Sequence, residues 1–504
     1  MVEHAGAVAK FHPAPSIDRA DRLRIAVARS VPADAEVVGL AVGERGAVPR
    51  QLGLDRATLV ASGFDGKVGQ TLNVPRRDGP LAVAVGIGDP AQLDATALRD
   101  AAGALGRATT KQGRVATNLA DTAAVAAEAA GQAVVEGLLL SRYRYVPLRR
   151  EANGAELAEL TLVASGGRAK GVSAGVERGT IVANAAQLAR DLANTPPGHL
   201  TAQRMGDLAC EVGARHGLEV EVFDEEALVA LGCGGLLGVN AGSEEPPRMV
   251  KLTYRPDAPA GHLAMVGKGV MYDSGGISLK PTDVMHAAMK MDMSGAAAVL
   301  ASMSTLRALG CRTAVTGYLM CTDNMPSGSA MKLGDVLRIH GGTTVEVHNT
   351  DAEGRLLLAD GLVLATEEVP DAMVDIATLT GACMVALGQG MAGVFGNDQA
   401  WVDQVRAASA GVDEPVWQLP LERTKYRKLL DSDIADLKNV GNQYGGAITA
   451  AVFLAEFVGD VPWAHLDIAG PMKVDADESW RPKGATGFGT RLLIDLALNF
   501  EPVR

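Results

Sequence analysis

The stretch Thr343-Thr344-Val345-Glu346-Val347-His348-Asn349-Thr350-Asp351-Ala352-Glu353-Gly354-Arg355-Leu356 sets two carboxylates and a guanidinium around one glycine, where a strand should give way to a helix. Thr343 to His348 is β-branched and alternating, the pattern of a strand, and Leu356–Val369 reads as a helix. A strand joined to a helix by a short polar turn is the repeating unit of an α/β fold. If the extended conformation persists past His348, Asp351 and Glu353 point to the same side. Two residues of extended chain span roughly 6–7 Å, from which flexible side chains can converge on a metal pair about 3.5–4 Å apart. An isolated Asp-x-Glu-Gly is also the chemistry of an ordinary polar surface turn. The rest of the chain must decide between the two.

A second cluster lies upstream. His262–Val266 is a short apolar run with the character of a strand, and the glycines after it permit turns that bring Lys268, Asp273 and Lys280 near a common point. Met289-Lys290-Met291-Asp292-Met293-Ser294-Gly295 then adds Asp292 ahead of a small-residue helix, Ala296–Leu309, which Gly310 would end. Asp292 has a structural reading too, as a cap of that helix or a partner of its dipole. Asp273, Asp292, Asp351 and Glu353 carry four negative charges that cannot stay ionised and close without compensation. Two divalent cations would supply it. Lys268 could then bind metal as a neutral amine with a depressed pKa, while Lys280 and Arg355 stay cationic toward negative charge developing on a substrate.

Other segments follow a recognisable pattern: Asp191-Leu192-Ala193-Asn194-Thr195-Pro196-Pro197, Thr378-Leu379-Thr380-Gly381-Ala382, Trp463-Ala464-His465-Leu466-Asp467-Ile468-Ala469-Gly470 and Lys483-Gly484-Ala485-Thr486-Gly487. With Asn349–Leu356 they make the chain resemble the leucyl (cytosol) aminopeptidases, the M17 family of two-metal exopeptidases, over residues 185–495. One departure is visible: the segment between Lys280 and Asp292 is one residue longer than the family pattern.

The resemblance implies an enzyme that removes N-terminal amino acids, preferentially leucine and similar apolar residues, from peptides by a metal-activated hydroxide. It implies two divalent ions per subunit, Mn²⁺ foremost with Zn²⁺ or Mg²⁺ as alternatives. Asp273 and Glu353 would bridge them, Asp292 and Lys268 would complete one site, and Asp351 the other, partly through its backbone carbonyl. Metal binding lowers the pKa of water from 15.7 to about 7. The substrate's free amine would bind one metal, which disfavours endopeptide substrates. Lys280 is assigned to substrate contact and to the oxyanion, and Arg355 to a bicarbonate that relays the proton. Met289, Asn349, Thr378, Leu379, Gly381 and Ala485 match the region that binds the substrate side chain, where an apolar pocket discriminates by about 1–3 kcal/mol per methylene. The family's two-domain organisation implies an N-terminal macro-domain-like α/β domain over residues 1–165 for assembly or regulation. A connecting helix over 166–192 would lead to a catalytic α/β domain with a central mixed sheet over 193–504. The family also implies a homohexamer.

Composition agrees with that organisation. A chain of 504 residues exceeds what one core usually organises, and 47% hydrophobic content with 4% aromatics describes cores of aliphatic and small side chains. Strand-like Glu36–Val42, Leu81–Ile87 and Leu157–Ala164 alternate with helix-like Ala91–Arg107 and Thr122–Leu140, and Gly171–Asp191 reads as a helix stopped by Pro196 and Pro197. The net charge of −12 argues against a general nucleic-acid or anionic-membrane surface. Five scattered cysteines without CxxC spacing suit reduced thiols. His4, Lys10, Asp18 and Arg19 leave no signal-peptide core, and no apolar run approaches the roughly 20 residues that span a bilayer, so a cytoplasmic location is expected.

Competing chemistries lack their residues. Nine histidines include no HExxH, Ser274 has no GxSxG elbow, and Gly86-x-Gly88 lacks the third glycine of a dinucleotide loop. A two-metal phosphoesterase would share the carboxylates, and the lysine ligand with the complete signature favours peptides. A second role in DNA binding, known among bacterial relatives, finds no support in the acidic balance.

Overall fold

The computed structural model describes residues 11–151 and 154–503, so His4 and Lys10 lie outside the described residues. The chain forms two compact units, one of Pro15–Gln187 with Val474–Gly484, the other of Leu188–Lys473 with 485–503 and 11–14. Both are α/β with mixed sheets.

The first unit holds a six-stranded sheet of β1 (Arg24–Ala28), β2 (Val37–Val42), β3 (Thr71–Val74), β4 (Leu81–Gly86), β5 (Arg114–Thr117) and β6 (Glu159–Val163), in the order β1-β6-β5-β2-β4-β3. All neighbours are parallel except the β3–β4 pair. β2 and β4 are almost continuously buried, as strands covered on both faces must be. Helices α1 (Ala95–Ala108) and α2 (Ala127–Ser141) pack Leu98, Leu105, Val134 and Leu138 against Val83 and Val85. Sequence periodicity did not reveal β1, β3 and β5, which have four or five residues each, too few to display a period.

The long helix α3 (Ala169–Asn194) begins in the first unit and ends in the second. The second unit's main sheet contains β7 (Glu219–Phe223), β8 (Arg248–Tyr254), β9 (His262–Asp273) and β10 (Ala314–Asn324). A separate three-stranded sheet follows, made of β11 (Val336–Arg338), β12 (Thr344–Glu346) and a later strand β16 (Leu437–Lys438). The main sheet is completed by β13 (Ala372–Ala377), β14 (Ala392–Gly396), β15 (Val416–Gln418) and β17 (Trp463–Asp467), in the order β15-β14-β17-β13-β9-β10-β8-β7. Its centre, β17-β13-β9-β10, is parallel.

Helices α4 (Ser294–Met303) and α5 (Gly354–Glu367) cover opposite faces of β9. Alternate residues show this: Gly267 meets Ala296 of α4, whereas Val266 and Met320 meet Gly361 of α5. Lys268 shares the parity of Val266 and so projects to the α5 side, where its methylenes lie against Gly354.

Three sequence expectations are corrected. The strand expected over His262–Val266 continues to Asp273, so Lys268 and Asp273 lie within it, and the turn comes later at Gly275 and Gly276, with φ of +87° and +62°. Gly267 sits in the strand because the backbone of Ala296 would be 2.7 Å from a Cβ there. The strand expected over Thr343–His348 is short, β12, and belongs to the small sheet, not the central one. Extended geometry does not reach Glu353, whose φ of −75° and ψ of −39° are already helical, and α5 starts at Gly354. Asp351 and Glu353 are therefore brought together by a turn entering a helix.

α4 approaches the sheet tightly at Gly295, where a Cβ would stand 2.1 Å from the Ile376 carbonyl oxygen and 2.9 Å from Lys268 N. Gly295→Ala is expected to lower unfolding free energy by about 1–3 kcal/mol through overpacking, measured by urea denaturation. A neutral effect would show that the helix can slide.

Candidate metal centre

The carboxyl end of β9, the entry to α4, the turn into α5 and the end of β13 meet at one place. Lys268 Nζ lies 2.8 Å from Asp292 Oδ2 and 2.7 Å from Glu353 Oε1, and donates to the Thr378 carbonyl at 2.9 Å. Lys280 Nζ lies 2.8 Å from Asp273 Oδ2 and 2.5 Å from Asp351 Oδ1. Carboxylate oxygens of Asp273, Asp292 and Glu353 fall within 4.8 Å of one another, and all three residues are buried. Asp292 does not cap α4, whose N-cap position is Met293; its Oδ1 instead accepts a hydrogen bond from Thr378 Oγ1 at 2.7 Å.

Four carboxylates thus face two lysine ammonium groups, with Lys268, Asp273, Asp292 and Glu353 buried and Lys280 and Asp351 partly exposed. Burial disfavours the Lys268 ammonium, but Asp292, Glu353 and Asp273 outweigh it and hold the amine charged well above its ordinary range. Burial likewise raises Asp292, against the pull of Lys268 and with Glu353 and Asp273 acting in the same direction, and raises Glu353, with Asp273 acting in the same direction against the pull of Lys268 and Lys280. Burial lowers Arg355 to about 10, opposed by Glu353 and Asp467.

The donor set fits a divalent cation. Asp292 Oδ2, Asp351 Oδ1 and Glu353 Oε1 have close lysine neighbours by distance, yet none of these contacts has hydrogen-bond geometry. Buried carboxylate oxygens of that kind, with one amine beside them, are the ligands that hard and borderline divalent ions take. A cation there would also favour the neutral form of Lys268.

Arg355 enters the site from the first turn of α5, with Nη1 donating to the Asn439 carbonyl at 2.7 Å and Nε buried without a hydrogen-bond partner. Asn349 stands in the turn before Asp351, whose N–H donates to its Oδ1 at 2.9 Å. Thr378 and Leu379 follow β13, and Leu379 N donates to Asp467 Oδ1 at 3.2 Å. Met289 and Ala485 are buried, and Gly381 is exposed at the start of α6 (Gly381–Leu387). The Met289 carbonyl accepts from Asp292 N at 3.2 Å, which ties it to the backbone of the cluster, whereas among the described residues no hydrogen bond or ion pair joins Gly381 or Ala485 to the charged side chains.

Sequence reading missed Asn439 and Asp467. Asn439 Oδ1 accepts from His348 N at 2.8 Å, its Nδ2 donates to the Asn349 carbonyl at 2.7 Å, and it is fully buried. The parallel pairing of β12 with β16, Glu346 opposite Lys438, sets it beside the turn. No local pattern could announce a partner about ninety residues away. Asp467 receives Thr380 Oγ1 at 2.6 Å and so fixes the loop after β13. It was visible only as part of the Trp463–Gly470 motif.

Comparison with known proteins follows the same division. The profile described as "Cytosol aminopeptidase family, catalytic domain" matches residues 187–494, and that of the family's N-terminal domain matches 54–152. A probable cytosol aminopeptidase of Streptomyces griseus is 44% identical over 94% of this chain and 97% of its own length. One from Chlorobaculum tepidum is 48% identical over 72% of this chain and 74% of its own. Among solved structures, the bottromycin maturation enzyme BotP in complex with Mn superposes with a TM-score of 0.84 at 40% identity, covering 92% of this chain and 99% of BotP.

Asn439→Ala leaves the His348 N–H and the Asn349 carbonyl without their partner. The expected cost is about 1–3 kcal/mol in urea unfolding of the full chain; a change within error would mean that water replaces both bonds.

Proposed function

The chain belongs to the cytosol aminopeptidase family, whose enzymes are metallo-exopeptidases, and on that premise we propose that it removes leucine and similar apolar residues from peptide N-termini using two divalent ions. The observation that carries this reading is the convergence of three buried carboxylates within 4.8 Å around the Lys268 amine. Asp273, Asp292, Glu353, Asp351 and Lys268 would hold the ions, with Mn²⁺ favoured by the Mn complex of BotP and Zn²⁺ or Mg²⁺ as alternatives. Such ions supply Lewis acidity and a water acidic enough to react near neutral pH.

The protein's own groups divide the remaining work. Lys280 is partly exposed, cationic and fixed between Asp273 and Asp351, so its ammonium can follow negative charge onto the carbonyl oxygen of the scissile bond. Arg355 keeps an unpartnered Nε beside the cluster and is suited to hold a small oxyanion such as bicarbonate, which would move the proton. Met289, Asn349, Thr378, Leu379, Gly381 and Ala485 would form the side-chain pocket. Residues 1–165 would serve assembly, 166–192 connect and 193–504 carry the peptidase, in a cytoplasmic homohexamer; light scattering that found a fully active monomer would refute the assembly. Among the described residues no helix is long and apolar enough to cross a membrane.

Chelator-treated enzyme reconstituted with Mn²⁺ should hydrolyse leucyl-peptides and carry two ions per chain. Lys280→Ala should keep both ions while turnover falls about 10²–10³-fold, and turnover at the parental rate would refute its role. Asp273→Ala should lose metal. On a panel of aminoacyl anilides, a strong preference for acidic residues would overturn the apolar pocket.

A further inference from the structure

β9 and β10 run parallel in unbroken register from Ala314 opposite His262 to Thr322 opposite Val270. There the register shifts: Asp323 stands opposite Tyr272 and Asn324 opposite Asp273, so Met271 is an extra residue in β9. A bulge of this kind re-aims the side chains beyond it. Without the extra residue Asn324 would be level with Tyr272, whose side chain belongs to the other face. With it, Asn324 and Asp273 project side by side at the strand ends.

The two are bonded. Asn324 Nδ2 donates to Asp273 Oδ1 at 2.8 Å and to the Thr350 carbonyl at 2.9 Å, and Asn324 is buried. Gly275 N donates to the same Asp273 oxygen at 2.8 Å, which leaves Oδ2 as the oxygen turned to Lys280. The Asn324 backbone carbonyl accepts from Ser274 N at 3.0 Å and Ser274 Oγ at 2.6 Å. Thr350, its other partner, donates through Oγ1 to the Gly275 carbonyl at 2.7 Å and accepts from Ser278 N at 2.8 Å. One amide therefore joins the loop after β9 to the turn before α5, the two segments that carry Asp273, Lys280, Asp351 and Glu353. The fit is tight, since a Cβ on Gly276 would lie 2.7 Å from Asn324 Oδ1.

We propose that Asn324 is a positioning residue of the metal centre: its amide orients the Asp273 carboxylate and sets the spacing between the Asp273 and Asp351–Glu353 segments. The inference rests on the ligand assignment given under Proposed function. Asn324 touches no reacting atom. It selects which carboxylate oxygen of Asp273 remains available, and such partners of ligands typically govern affinity by 10–100-fold.

The test uses the full chain, freed of metal with a chelator and titrated with Mn²⁺ against a competing metal indicator. Asn324→Leu keeps the side-chain volume without the amide; Asn324→Ala opens space. Both are expected to bind Mn²⁺ about 10–100-fold more weakly than the parent. With saturating Mn²⁺, KM for a leucyl anilide should stay within about twofold while kcat falls. Thermal unfolding of the metal-free proteins separates folding from positioning. If Asn324→Leu binds Mn²⁺ with parental affinity, the proposal fails. It fails too if the lost affinity is shared by Thr316→Val, which removes a buried hydroxyl bonded to His262 near the starts of β9 and β10, away from the metal-binding side chains, because the effect would then be general loosening. A parent that binds no Mn²⁺ would overturn the metal reading itself along with this one.

Discussion

A lysine in the middle of the central strand, enclosed by carboxylates, is the constraint to which the second unit is built. Lys268 is almost wholly buried, and an ammonium there is tolerable only because Asp292, Glu353 and Asp273 surround it. Those carboxylates are in turn tolerable only beside cations. Removing any member leaves the others as uncompensated buried charges. The arrangement therefore has to be assembled whole, from a strand, a helix entry, a turn and a loop that are distant in the chain.

The packing around it shows how that assembly is enforced. Small residues let helices approach the strand: Gly295 and Ala296 on one face, Gly354 and Gly361 on the other. Close approach brings the backbone of each helix entry to the strand, and with it Asp292 before α4 and Glu353 before α5. Asparagine side chains then fix the loops that no regular element holds, Asn324 on one side and Asn439 on the other. A buried amide can donate and accept at once, which suits it to bridging backbone groups of separate segments.

Much of this was legible locally, and the exceptions have physical causes. Asp273, Asp292, Asp351 and Glu353 stood out as candidates because carboxylates beside glycines at element ends are costly unless used. The α/β class followed from alternating strand and helix patterns. Strand lengths were misread where glycine was taken as a breaker: Gly267 and Gly269 sit in β9 because neighbouring backbone comes too close for a side chain. The short edge strands of the first unit escaped because four or five half-exposed residues show no periodicity. Met289, Gly381 and Ala485, proposed for the pocket, were carried by motif alone; Met289 meets the cluster only through its carbonyl on Asp292 N, and among the described residues no polar contact ties Gly381 or Ala485 to it.

The sequence by itself determined the α/β class, the family and the residue types gathered at the centre, because periodicity, turn chemistry and motif spacing are properties of neighbouring residues. Tertiary structure alone decided that β12 belongs to a small separate sheet and that Asp351 and Glu353 converge through a turn. It decided as well that one extra residue in β9 sets Asp273 beside Asn324. Register between strands, and the partner that a buried polar group finds, depend on segments 26 to 91 residues apart. No local pattern encodes those pairings, because the cost of leaving a buried charge or amide unpaired is felt only once the chain has closed around it.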